Sequence, residues 1–184
     1  MSSNLDRLAT LIRELAIRSG EQFVLTSGRT SNRYFEMKVA TMDPECGHLL
    51  AVELGRRIPT PDPDFIVGVP VGGLPLVGKV LEHLYPTRPL RGLVVRSEPK
   101  KHGTAKLVEG VRTDAELRGK TAFIIEDVTT TGGSTVKIVK ALSGVGVTVS
   151  GVLTVVLRDR IAIENLREVG APLMHIFEES ELVG

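Results

Sequence analysis

The sequence predicts an α/β fold with a central, mostly parallel sheet flanked by helices. Three observations lead there. Phe65 to Val67, Leu93 to Val95, Ala122 to Ile125 and Val152 to Leu157 are nearly continuous apolar runs without polar alternation. Strands of that kind are buried on both faces, as in a parallel sheet covered by helices. The first, third and fourth runs are followed by stretches with helical spacing. The turns at 68–73, 96–103 and 126–135, which follow the first three runs, are chemically unusual. In such sheets ligands bind beyond the carboxyl ends of the strands.

The elements follow in order. Leu5, Leu8, Ile12 and Leu15 recur every three or four residues on one helical face, with Ser3 or Asn4 placed to cap the helix and Gly20 to end it. Phe23 to Leu25 and Tyr34 to Val39 read as short strands around a polar turn at Ser27-Gly28-Arg29. Asp43-Pro44 starts a helix, with proline at its first position, that runs to about Ile58. The proline-rich stretch Pro59 to Asp64 breaks it. Phe65 to Val67 leads through Gly68-Val69-Pro70-Val71-Gly72-Gly73 into a helix marked by Leu74, Val77, Leu81 and Leu84. Leu93 to Val95 leads into a polar stretch from Arg96 to about Glu109. Ala122 to Ile125 precedes Glu126-Asp127 and a Thr/Gly-rich turn. Val136, Val139 and Leu142 mark the next helix, closed by Gly144. The run ending at Leu157 is followed by a helix to Gly170 and a last strand near Leu173 to Phe177.

Composition narrows the function. A chain of 184 residues that is 42% hydrophobic suits one domain with a substantial core. A formal net charge of +1 gives no global basic field of the kind nucleic-acid binders carry, so an anion site must be local. Cys46 is the only cysteine, which excludes an intrachain disulfide and a cysteine-built metal cluster. The first 20 residues alternate charge with leucine, unlike a signal peptide or anchor. No apolar run approaches the ~18 residues of a membrane span. A cytoplasmic enzyme is the simplest reading.

The segment from Phe123 to Thr135 carries most of the chemistry. It joins an apolar strand, the acids Glu126 and Asp127, the loop Val128-Thr129-Thr130-Thr131-Gly132-Gly133-Ser134, and a helix start. Loop amides and hydroxyls opening a helix cradle a phosphate, aided by the helix dipole. Gly132 and Gly133 allow close backbone approach and positive φ. Two carboxylates cannot bind phosphate, but they accept hydrogen bonds from sugar hydroxyls. The segment therefore suits a phosphorylated sugar. A plain helix cap and turn is the competing reading. No Gly-Lys-Ser/Thr follows, which excludes a Walker-type loop, and the dinucleotide fingerprint is absent.

This segment resembles the phosphoribosyl pyrophosphate signature of type I phosphoribosyltransferases. The resemblance implies Glu126 and Asp127 on the ribose hydroxyls and Thr129 to Ser134 around the 5′-phosphate. Gly68 to Gly73 resembles the family's pyrophosphate loop, with Val71 and Gly72 on the leaving group and Pro75 opening the next helix. Arg96-Ser97-Glu98-Pro99-Lys100-Lys101-His102-Gly103 resembles the mobile catalytic loop of orotate phosphoribosyltransferases. That loop implies a homodimer in which Arg96, Lys100, Lys101 and His102 reach the neighbouring subunit's donor, Lys100 and His102 being catalytic. Cations brought over a departing pyrophosphate stabilise its growing charge where water is expelled.

Phe23 to Ser31, followed by Tyr34-Phe35, resembles the segment that forms part of a hood over the acceptor base. Tyr34 and Phe35 would offer an aromatic face, although a core role for one of them is as natural. Thr130 is the family's base-contacting hydroxyl. The spacing from Asp127 to Arg158 matches the family's orotate-carboxylate arginine, a use that suits a forked guanidinium, with Arg160 as the fallback. The resemblance spans about Leu5 to Leu182. It implies one phosphoribosyltransferase domain over 1–184, with a hood over about 1–40 and a core over about 43–184. Magnesium is expected on substrate oxygens, without a protein cage. Thr26, Ser97 and Gly72 stand where lysines are frequent in the family. A transferase for a purine or uracil, or a non-catalytic regulator of the same fold, are the alternatives.

Overall fold

The computed structural model describes residues 2–24, 30–96 and 107–183. Helix α1 (Ser2–Ala16) is followed without a loop by β1 (Ile17–Val24), which pairs antiparallel with β2 (Thr30–Phe35) in a separate two-stranded sheet. Gly20 does not end α1. It lies inside β1 at φ +103, where the register with β2 shifts between Ser19 and Phe23. The helix has already stopped at Ala16, because Ile17 pairs with Phe35.

The expected strand from Tyr34 to Val39 is also corrected. Pairing ends at Phe35, and Met37–Met42 form a short helix, α2, with Met37 and Ala40 buried. Helix α3 (Pro44–Arg57) starts as expected: the Asp43 carboxylate accepts from the Cys46 N–H at 2.8 Å, and Pro44 opens the first turn.

The main sheet contains β3 (Phe65–Gly68), β4 (Arg91–Val95), β5 (Val108–Glu109), β6 (Lys120–Thr129), β7 (Val147–Leu157) and β8 (Leu173–Glu178), in the order β5-β4-β3-β6-β7-β8. All neighbours are parallel except β4 and β5. Helices α4 (Gly73–Leu84), α5 (Gly133–Gly144) and α6 (Ile161–Glu168) follow β3, β6 and β7, and α7 (Glu179–Leu182) closes the chain. The two-residue β5, a 3₁₀ turn at Asp114–Glu116 and α7 have no run or period long enough to register in the sequence.

The two faces of the sheet carry separate cores, sorted by the alternation of strand side chains. Phe123 and Ile125 point to the side packed by α1 to α4, with Leu50, Leu54, Leu76 and Val80. Ala122 and Ile124 point to the other side, with Ile138, Leu142 and Leu166 from α5 and α6. Phe123 and Ile124 are 1% and 0% exposed. Each such side chain contributes roughly 1.5–3 kcal/mol through burial. This explains why the runs are nearly continuous in apolar character. Among the described residues no helix is long and apolar enough to cross a membrane.

Candidate active site

The strongest correction concerns β6. The apolar run extends through Glu126, Asp127, Val128 and Thr129 as paired strand, with Glu126 opposite Thr154 and Thr129 opposite Leu157. The two acids therefore lie on the strand, not in the turn after it, and their side chains take opposite faces. Glu126 enters the α5 side and is 6% exposed. Its Oε2 atom accepts from the Thr129 hydroxyl at 2.6 Å and the Thr135 hydroxyl at 2.5 Å. Burial pushes its pKa up to about 7, opposed by those two hydroxyls and reinforced by the charge of Asp127. Asp127 turns to the α4 side. Burial raises its pKa as well, opposed by backbone N–H groups and by the charge of Lys38.

The turn after β6 is built for close approach. Gly132 has φ +76, and a Cβ on it would lie 3.3 Å from Leu166 of α6. Both the backbone and the packing call for glycine there. The Asn165 side chain of α6 donates to the Thr131 carbonyl at 2.9 Å and fixes the turn against that helix. The first amides of α5 then open toward the cleft, a favourable place for an anion.

Opposite lies the connection from β3 to α4. The Val69 N–H donates to the Ile125 carbonyl at 3.0 Å, and the Gly73 N–H to the Val69 carbonyl at 2.8 Å. The Pro70–Val71 peptide is cis. A Cβ on Gly72 would fall 1.8 Å from Asp127 Oδ2, so the bare glycine is what lets that carboxylate lie against the loop.

The third wall comes from the N-terminal hairpin and the end of β7. Arg158 is almost buried, its side chain 7% exposed. Its Nε donates to Glu179 Oε2 at 2.7 Å, and its Nη2 to Glu179 Oε1 at 3.2 Å and to the Ser31 hydroxyl at 3.1 Å. The guanidinium lies 5.4 Å from the centre of the Phe35 ring. Tyr34 stacks on Phe23 with ring centres 5.5 Å apart.

These walls enclose one cleft of about 610 Å³, within the range of small-molecule sites. Of the residues singled out in the sequence, Tyr34, Phe35, Val71, Gly72, Glu126, Asp127, Val128, Thr130, Thr131, Gly132, Gly133, Ser134 and Arg158 line it. Thr129 does not: it is 1% exposed and its hydroxyl serves Glu126. Phe35 is 5% exposed and belongs to the core as well as the cleft wall. Arg160 lies outside, paired with Glu178 at 2.6 Å in a neighbouring concavity, so Arg158 and not Arg160 faces the cleft. Arg96 is also outside its own chain's cleft, 3.7 Å from Glu109. Lys100, Lys101 and His102 lie outside the described residues. Sequence reasoning missed Lys38 and Lys137 on the cleft walls. Lys38 was hidden by reading 34–39 as a strand. The charge and position of Lys137, one helical turn into α5, were the available signal for it.

The Thr/Gly turn after β6 and the glycine loop after β3 face each other across one cleft. The chain belongs to the phosphoribosyltransferase family, whose phosphoribosyl transferase domain model matches residues 48–168. Within that family it groups with the orotate phosphoribosyltransferases. It is 37% identical over 183 residues to the orotate phosphoribosyltransferase of Rhodopseudomonas palustris (strain BisB5), covering 99% of this chain and 97% of the relative. The crystal structure of Mycobacterium tuberculosis orotate phosphoribosyltransferase with Fe(III) dicitrate superimposes with a TM-score of 0.82 at 29% identity, covering 98% and 99% of the two chains. The same enzyme in complex with 5-phospho-α-D-ribosyl 1-diphosphate gives a TM-score of 0.77 at 27% identity, with 97% and 98% covered.

Proposed function

We propose that this chain transfers the 5-phosphoribosyl group from phosphoribosyl pyrophosphate to orotate, giving orotidine 5′-monophosphate and pyrophosphate in pyrimidine biosynthesis. One observation carries the reading: the turn at 130–134, Asp127, the 69–72 loop and Arg158 share a single cleft. The 5′-phosphate is assigned to the Thr130–Ser134 amides and hydroxyls at the start of α5. Asp127 and the edge of Glu126 are assigned to the ribose hydroxyls. The diphosphate lies along Val71 and Gly72. Orotate sits under Tyr34 and beside Phe35 and Thr130, with its carboxylate on Arg158. The Nε and Nη2 groups of Arg158 are held by Glu179 and Ser31, while Nη1 makes no hydrogen bond among the described residues and is the edge left for that carboxylate.

The reaction forms a bond from an orotate ring nitrogen to C1′ while the C1′–oxygen bond to pyrophosphate breaks, the nitrogen's proton passing to pyrophosphate or water, with inversion and an oxocarbenium-like transition state. The chain contributes orientation and charge stabilisation and forms no covalent intermediate. Lys100 and His102, with Arg96 and Lys101, are assigned to the leaving group of the neighbouring subunit in a homodimer. The position of Arg96 outside its own cleft fits that assignment. No cluster of three or more carboxylate, histidine or cysteine side chains able to cage a metal occurs among the described residues. Glu126 and Asp127 are the two carboxylates that line the cleft, which fits a magnesium ion held mainly by substrate oxygens and water. When bound, magnesium neutralises part of the diphosphate charge.

Pyrophosphate release measured with orotate, uracil and adenine tests the reading. Turnover with orotate alone is the expected result. Turnover with uracil or adenine instead would assign another base. Donor binding without turnover on any base would assign a regulator.

A further inference from the structure

The wall that faces the diphosphate is short of positive charge. The connection from Gly68 to Gly73 contains no ionisable side chain. A side chain at position 72 would start inside the space held by the Asp127 carboxylate, with its Cβ 1.8 Å from Oδ2. The loop cannot supply a cation from that position while Asp127 lies where it does. Asp127 already lies against this loop and adds negative charge when ionised. A diphosphate entering here needs a counter-charge from another element.

Among the described residues, the basic side chains lining the cleft are Lys38, Lys137 and Arg158. Arg158 is held by Glu179 and Ser31 on the base side. Lys137 lies one helical turn into α5, behind the turn that cradles the 5′-phosphate. Lys38 is the second residue of α2, on the wall facing Asp127. Its side chain is 53% exposed, and its ammonium lies 2.7 Å from Glu36 Oε1. Lys38 shares the cleft with Asp127, the carboxylate that covers Gly72, and its charge favours the ionised form of that group. The turn of the chain from strand into helix at Met37 delivers Lys38 to this wall.

We propose that Lys38 is a donor-binding residue whose ammonium contacts the diphosphate of the sugar donor, supplying from α2 the charge that Gly72 cannot carry. Glu36 holds the ammonium in place before the donor arrives. The inference rests on the phosphoribosyltransferase reading of the cleft and goes beyond it by assigning the cation of the diphosphate subsite. A charge-assisted contact of this kind changes affinity by about 10- to 100-fold.

The test uses the full chain with Lys38→Met and Lys38→Arg. Binding of phosphoribosyl pyrophosphate and of inorganic pyrophosphate, each with magnesium, is measured by calorimetry, and the steady-state constants are measured with orotate. Lys38→Met should weaken both phosphate ligands by about tenfold or more, while the orotate KM stays within about twofold. Lys38→Arg should recover most of the loss. The melting temperature without ligand should be unchanged, because the side chain is half exposed. The rise in melting temperature on adding pyrophosphate should shrink in Lys38→Met. Equal affinity of Lys38→Met and the parent chain for both ligands would overturn the inference while leaving the transferase reading intact. A parent chain that binds neither ligand would overturn both.

Discussion

Replacing Arg158 by lysine separates the base site from the donor site. Arg158 makes a two-pronged contact with Glu179, at 2.7 and 3.2 Å, and a third with Ser31 at 3.1 Å. Lysine retains the charge but is a point donor, so it cannot hold the fork and offer a second edge to a ligand. The pair is 7% and 21% exposed, between the surface case, worth about 0–1 kcal/mol, and the buried case, where breaking it costs about 3–5 kcal/mol. A stability loss of about 2 kcal/mol, read from urea denaturation, is therefore expected for Arg158→Lys. Losing the oriented contact to the orotate carboxylate costs about 1.5–3 kcal/mol, which raises the orotate KM by about 10- to 100-fold. The donor KM should stay within about twofold, because the groups proposed for the phosphates lie on other elements, the turn after β6, α5 and the 69–72 loop. Any residual turnover with uracil, which lacks the carboxylate, should not fall. An unchanged orotate KM, or equal losses for orotate and donor, would refute the assignment of Arg158.

Three further outcomes are expected, two from the geometry and the third from the proposed role of the 96–103 segment. Glu126 titrates near 7 in the folded chain, above its ordinary value of 4.5, because burial disfavours its charge. The folded state therefore holds a proton that the unfolded chain has released. The resulting stability is present below pH 4.5 and is lost as pH rises through about 7, by about 3 kcal/mol in all. Glu126→Gln should flatten that part of the stability profile when unfolding is followed at pH 5 and pH 8. Gly132→Ala forces a side chain into positive φ against Leu166. It should cost about 1–2 kcal/mol and weaken donor binding, measurable by thermal denaturation with and without donor. Lys100→Ala should lower kcat by about 100- to 1,000-fold with a modest change in donor affinity, because the contact forms mainly in the transition state. Single-turnover kinetics reads this directly.

Much of the sheet was legible because its strands are buried on both sides, so Phe65 to Val67 and Ala122 to Ile125 had to be apolar throughout. The Asp43-Pro44 helix start was equally plain, since cap and first-turn proline are local signals. The N-terminal region was harder. Alternation and helical period cannot be told apart over six residues, and Tyr34 to Val39 contains both the end of β2 and the start of α2. Glycine at 20 looked like a helix stop but marks an irregularity within a strand. The length of β6 was hidden because charged residues seldom extend a buried strand. Glu126 does so because the Thr129 and Thr135 hydroxyls satisfy its carboxylate. Within the cleft, the Thr/Gly turn after β6 was legible from its residue pattern. Arg158 was picked over Arg160 from its spacing to Asp127, and the side chains of Glu179 and Glu178 show where each arginine is held. The roles of Gly72 and Lys38 depend on contacts between segments far apart in the chain, which no local pattern encodes.

The central claim is that the cleft beyond β6 grips a ribose carrying a 5′-phosphate and a diphosphate. Titrating phosphoribosyl pyrophosphate with magnesium into the folded chain by isothermal calorimetry tests it most directly. Saturable heat with one site per chain, abolished when Asp127 is replaced by alanine, is the expected result. Absence of heat from protein that melts cooperatively, or heat unaltered by that replacement, would contradict it.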